Sequence, residues 1–153
     1  MFHIFFYVAA LQKAARNNDV EVVYFLLLKE KEINKVLFEM NVNLKQIVIP
    51  SSVTSIGYGA FYECSSLTQI SIPSSVTSIE ECTFYKCSSL IYISIPSSVT
   101  SIGKYAFYEC SSLAQISISS SVTSIRECTF YKCSSLTHIS IPSSVTSIGN
   151  SVF

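Results

Sequence analysis

The stretch IPSSVTSIGYGAFYECSSLTQIS, residues 49–71, restarts at Ile72, Ile95, Ile118 and Ile141, each step being 23 residues with no insertion or deletion. The last copy runs to Phe153, and a half copy, LKQIV, precedes the first at residues 44–48. The copies also pair at twice that spacing: GYGAFYEC (57–64) matches GKYAFYEC (103–110), and EECTFYKC (80–87) matches RECTFYKC (126–133). A fixed short period of this kind marks a solenoid in which each unit makes one coil, and the double period points to duplication of a two-unit block.

Within one unit, Ile70 and Ile72 alternate with Gln69 and Ser71, so a strand here turns the isoleucines inward and the polar pair outward. Pro73 ends the strand, lacking an N–H for a ladder. Val76 and Ile79 return to the core from a second extended arm. Gly57, Gly103 and Gly149 follow the isoleucine of that arm and suit a turn with positive φ. Ala60–Cys64 reads as a helical or 3₁₀ turn with Phe61 inward. Stacked coils place equal positions ~4.8 Å apart. The core is then a set of columns: Phe61/Phe84/Phe107/Phe130/Phe153, Leu44/Leu67/Leu90/Leu113/Leu136 and Ile49/Ile72/Ile95/Ile118/Ile141. The charges obey the same register, as Glu63, Lys86, Glu109, Lys132 and as Glu81, Lys104, Glu127. Opposite signs on adjacent rungs favour the stack and like signs oppose it. Selection for register and simple inheritance from a Glu-unit/Lys-unit duplication both account for the alternation.

The motifs I-P-S-S-V-T-S-I-G, A-F-Y-x-C and S-S-L-T-x-I-S, repeated in phase, resemble the BspA-like leucine-rich-repeat family over residues 44–153. The resemblance implies a leucine-rich-repeat-like β-solenoid of 23-residue coils with parallel strands. It also implies a non-catalytic binding role, many members being attached to cell surfaces and taking part in adhesion; no catalytic residue or cofactor comes with it. Ser119 departs from the usual Pro, Glu80 and Arg126 from the turn Gly, and Cys82–Thr83 and Cys128–Thr129 from the x-Ala before Phe.

Residues 1–43 differ in composition, with ten charged residues of 43 against ten of the following 110. Leu11–Asn34 resembles the helical part of an ankyrin repeat at Leu11, Ala14, Ala15, Asp19, Glu21, Val22, Val23, Leu26, Leu27, Ile33 and Asn34. Asn18 stands for the usual Gly, and the T-P-L-H opening is absent. One such unit cannot bury its own faces, so residues 1–43 are expected to be a short α-helical, ankyrin-like cap on the N-terminal end of the stack. Met1–Leu11 is apolar but lacks the basic segment and cleavage site of a signal peptide. An intracellular location is therefore expected, with the cell surface as the alternative. No run of ~18 apolar residues suggests a membrane-spanning helix.

Composition excludes further classes. At 49% hydrophobic and 13% charged, the chain is not disordered. With no net charge it lacks the basic surface that nucleic acid requires. Cys64, Cys87, Cys110 and Cys133 form one column, read as buried free thiols, because in-register Cβ atoms are held wider apart than a disulfide prefers. Cys82/Cys87 and Cys128/Cys133 form two C-x4-C pairs, but they lie two coils apart, beyond the reach of one zinc. The serines lack the base and orienting group that a nucleophile needs.

The best candidate surface is therefore the polar strand face, Gln69, Ser71, Ile91, Tyr92, Ser94, Gln115 and His138, with Tyr92 and Ile91 its bulky groups, offered to a protein partner. Two hydroxyl columns, Ser52/Ser75/Ser98/Ser121/Ser144 and Thr54/Thr77/Thr100/Thr123/Thr146, resemble the regular arrays of ice-binding surfaces; a plain polar arm is the alternative. The last strand, Leu136–Ile141, has at most a partial neighbour, so self-association through that end, or truncation of a longer repeat array, is expected.

Overall fold

The computed structural model describes residues 45–153 and, before them, the strand β1 (Glu32–Ile33). The helical cap expected for residues 1–43 otherwise lies outside the described residues. Each coil has three sides. The first carries β2 (Gln46–Val48), β4 (Gln69–Ser71), β6 (Tyr92–Ser94) and β8 (Gln115–Ser117). The second carries β3 (Ser55–Ile56), β5 (Ser78–Ile79), β7 (Ser101–Ile102), β9 (Ser124–Ile125) and β10 (Ser147–Ile148). The third is the stretch around the Phe column, which contains no helix.

All strand pairs among the described residues are parallel. β2, β4, β6 and β8 form one four-stranded sheet, β5, β7, β9 and β10 a second, and β1 pairs with β3. Register follows the repeat: Ile47 faces Ile70, Ile93 faces Ile116 and Ile102 faces Ile125. Glu32 pairs with Ser55 and Ile33 with Ile56, again one period apart. Repeat geometry therefore reaches two residues that the composition assigns to the preceding segment. The fifth strand expected on the first side is absent: His138–Ser140 are not in a strand. Backbone bonding from coil to coil stops after Ser135 N–H to Ser111 O (3.2 Å) and resumes at Thr146 N–H to Thr123 O (2.9 Å).

The Phe column closes as expected, and Leu44, the first residue of the Leu column, lies outside the described residues. Phe61 and Phe84 stack at 5.2 Å between centroids, Phe84 and Phe107 at 5.2 Å, Phe107 and Phe130 at 5.5 Å, and Phe130 and Phe153 at 6.0 Å. Phe61, Phe84, Phe107 and Phe130 are buried, with Leu67, Leu90 and Leu113 beside them.

The third side is neither helical nor 3₁₀. Its N–H groups alternate between a local turn and the next coil: Tyr62 N–H bonds Gly59 O (3.0 Å) and Cys64 N–H bonds Phe61 O (3.1 Å). Between them, Phe61 N–H reaches Thr83 O (2.8 Å) and Glu63 N–H reaches Tyr85 O (2.7 Å). The alternation requires left-handed residues. They recur at Gly59, Cys82, Tyr105, Cys128 and Ser151, and at Glu63, Lys86, Glu109 and Lys132, with φ between 50° and 61°. Eight of these nine are not glycine, a conformation that costs L-residues energy and persists where the surroundings over-determine it. Here the inter-coil bonds on either side do so.

The turn glycines are needed for another reason than positive φ. Gly103 and Gly149 are not left-handed. A Cβ on Gly103 would lie 2.6 Å from Glu80 C and Glu81 N, and one on Gly149 would lie 2.4 Å from Glu127 N. The preceding coil's backbone occupies the space, and Gly103 N–H donates to Ile79 O at 2.8 Å. Gly103→Ala is therefore expected to destabilise by about 1–3 kcal/mol through overpacking, whereas Glu80→Ala, one coil earlier in the same column, shifts stability by less than about 0.5 kcal/mol. Urea unfolding of both variants checks the difference.

Candidate functional site

Strand alternation puts Gln69, Ser71, Tyr92, Ser94, Gln115 and Ser117 on the outer face, since every strand of this sheet except its central isoleucine is exposed. Gln46 Nε2 donates to Gln69 Oε1 at 3.1 Å, so the glutamines form a ladder rung. Tyr92 sits directly between Gln69 and Gln115 in register. It is 44% exposed, and Ile91 beside it is 53% exposed.

The sheet is not uniform. β2 and β4 pair at three positions and β6 and β8 at three, but β4 and β6 pair only at Gln69 and Tyr92 and diverge beyond them. Ile70 and Ile72 reach 9% and 8% exposure at the gap, against 0% for Ile93 and 3% for Ile95. The gap opens a cleft of ≈ 510 Å³ whose lining includes Gln46, Val48, Gln69, Ser71, Tyr92 and Ser94. Polar strand residues edge an apolar floor, an arrangement that suits a protein side chain with a polar rim around it.

Of the seven residues singled out by sequence, Gln69, Ser71, Tyr92 and Ser94 line this cleft. Gln115 lies one strand further, paired with Tyr92. Ile91 lies just before β6, its N–H bonded to Thr68 O at 3.3 Å. His138 is exposed outside the sheet, its Nδ1 3.1 Å from Thr137 Oγ1. Val48, 47% exposed, belongs to the surface and was not singled out; it stands where later coils carry serine.

A second surface combines charge with aromatic rings. Tyr62, Tyr85, Tyr108 and Tyr131 stack at 4.6, 4.9 and 5.4 Å. The sequence signal for this column is a Tyr one residue after each core Phe from Phe61 to Phe130. Beside it, Lys86 lies 3.6 Å from Glu63 and 4.0 Å from Glu109, and Lys132 is 2.8 Å from Glu109. Lys104 pairs with Glu127 at 3.2 Å on the other series. The hydrogen bond from Lys132 holds the Glu109 carboxyl below its ordinary range and lifts the lysine. Lys132 also lies 5.9 Å and 5.8 Å from the ring centroids of Tyr108 and Tyr131.

The hydroxyl columns divide. The serines turn into the stack: Ser121 Oγ donates to Val99 O and Ser144 Oγ to Val122 O, both at 2.8 Å, and Ser75 and Ser98 repeat the bond. Thr77, Thr100, Thr123 and Thr146 stay exposed. An outward array of both hydroxyls is therefore not formed.

All six cysteines are free thiols, five of them buried. Cys87, Cys110 and Cys133 each donate Sγ–H to a phenylalanine carbonyl of the preceding coil, at 3.1, 3.0 and 3.0 Å. Among the described residues no group of three or more His, Cys, Asp or Glu side chains is placed to hold a metal, and no helix is long and apolar enough to cross a membrane.

The family profile described as BspA type leucine rich repeat region (6 copies) matches residues 31–153, and the chain belongs to that family. The match begins one residue before β1. Among solved structures, the T. pallidum leucine-rich-repeat protein is 35% identical with a TM-score of 0.70, over 72% of this chain and 54% of that one. A leucine rich cell surface protein of Faecalibacterium prausnitzii is 35% identical, TM-score 0.64, over 78% and 29%. The pneumococcal vaccine antigen PcpA is 28% identical, TM-score 0.62, over 73% and 28%. The chain thus spans about half or less of these proteins. No curated protein matches it. The family and these neighbours are leucine-rich-repeat proteins, and none of these matches shows the ankyrin-like resemblance of residues 11–34.

Burial pushes the Cys64 and Cys133 thiols up to about 12, and Cys87 and Cys110 well above the ordinary value. A thiol whose folded pKa is raised stabilises the fold fully below its unfolded value of about 8.5, and that contribution disappears as pH climbs through the folded value. Thermal unfolding under reducing conditions should therefore hold steady up to about pH 8.5 and fall towards pH 12. The fall should be shallower in a Cys87→Ala/Cys110→Ala variant.

Proposed function

We propose that the chain is a non-catalytic interaction module that binds a protein partner through the outer face of the β2–β4–β6–β8 sheet. The observation that carries this reading is the divergence of β4 from β6 beside Tyr92. It sets an exposed aromatic ring next to a cleft with an isoleucine floor, and Tyr is favoured at binding hot spots. Gln69, Ser71, Ser94 and Gln115 supply hydrogen bonds around the ring. Ile91 extends the apolar patch, while His138, outside the sheet, takes no part in it. The lack of net charge suits a partner recognised by shape and hydrogen bonding. Leucine-rich-repeat proteins with which the chain aligns include a cell surface protein, which supports adhesion as the second reading.

The test is affinity capture with wild type, Tyr92→Ala and Thr77→Ala side by side. Proteins held by wild type should be lost with Tyr92→Ala, by tenfold or more for a hot spot of about 2 kcal/mol, and kept with Thr77→Ala, on the second side of the coil. Equal capture by all three overturns the assignment of the face. For the adhesion reading, brief protease treatment of intact source cells should remove the chain while a cytosolic marker survives; survival of both excludes a surface location.

A further inference from the structure

The ladder Glu63–Lys86–Glu109–Lys132 has a symmetry that its internal pairing does not use. It has four rungs of alternating sign, so its reversed order is its own charge complement. If a second copy lies antiparallel across it, Glu63 meets Lys132, Lys86 meets Glu109, and the same two contacts recur beyond the two-fold axis. This is the reciprocal pattern of an isologous interface. Rung spacing is common to both copies, so all four contacts come into register together. The adjoining tyrosine column sets that spacing at 4.6 to 5.4 Å.

The strip has room and bonding capacity. Glu63, Lys86, Glu109 and Lys132 with the short side chains of Ser65, Ser88, Ser111 and Ser134 line a groove of ≈ 690 Å³. Lys86 lies 3.6 and 4.0 Å from its two carboxylates, too far for hydrogen bonds, so its ammonium and the Glu63 carboxylate retain capacity for a partner. Because the ladder is neutral in sum, a uniformly charged partner gains nothing from it. Its complement must present the same alternation at the same interval, and this chain does.

We propose that this ladder face is a homodimer interface in which two copies pair antiparallel about a two-fold axis between Lys86 and Glu109. The interface is distinct from the sheet face. Exposed pairs contribute little each, so the dimer is weak and sensitive to salt.

Sedimentation velocity on the full chain tests it with two variants. The half swap Glu63→Lys/Lys86→Glu keeps the internal pairs 63–86 and 109–132 but makes all four intermolecular contacts like-charged. It is expected to weaken dimerisation by about tenfold or more. The full swap Glu63→Lys/Lys86→Glu/Glu109→Lys/Lys132→Glu keeps both ladder and self-complementarity. It is expected to dimerise like wild type, yet to form no mixed dimer with labelled wild type. Wild-type association should fade between about 20 mM and about 500 mM salt. A wild type that is monomeric at low salt, a half swap that dimerises as well as wild type, or a full swap that mixes freely with wild type would each overturn the proposal. If the half swap does not fold, the mixing experiment decides alone.

Discussion

Everything in this molecule depends on equal positions of successive coils lying directly over one another. The constraint is enforced on all three sides at once. Strand ladders hold two sides, and on the third alternate N–H groups reach the next coil while their neighbours close local turns. One coil has too few internal contacts to fold alone, as expected for a solenoid. Each coil is the template for the next, and Phe84, Phe107 and Phe130 are buried between the rings on either side of them.

Stacking also explains features that look costly in isolation. Among the described residues eight that are not glycine adopt left-handed backbone, and buried thiols sit in the core beside hydrocarbon side chains. In the stack the left-handed residues aim N–H groups at the next coil. The thiols spend their weak donors on phenylalanine carbonyls. Ser75, Ser98, Ser121 and Ser144 do the same for valine carbonyls. Side chains thus reinforce coil contact at positions where the sequence alone suggests surface polarity.

The period, the inward isoleucines and the Phe and Leu columns were legible because side-chain alternation and a fixed repeat leave little freedom. So were the charge rungs 63–86, 109–132 and 104–127. The third side was not: Ala60–Cys64 has local i to i−3 bonds like a 3₁₀ turn, and only the inter-coil bonds distinguish the two. The reason for Gly103 was hidden for a related cause, since close approach of Glu80 depends on how one coil settles on another. The cleft beside Tyr92 has no sequence signal, because Gln69–Ser71 and Gln115–Ser117 share the same letters and yet pair differently with β6. Likewise nothing in Leu136–Ile141 announces that this arm leaves the ladder, and His138 leaves the face with it.

The two-coil alternation limits how such an array can change length. Removing residues 72–94 would set Glu63 against Glu109, and removing 95–117 would set Lys86 against Lys132. It would also leave a glycine-bearing arm without the neighbour whose backbone it accommodates, or bring Glu80 and Arg126 together where one of them now meets Gly103. Excision of a 46-residue block restores every junction. The array therefore evolves most smoothly by whole pairs of turns, its length quantised by electrostatics and steric fit.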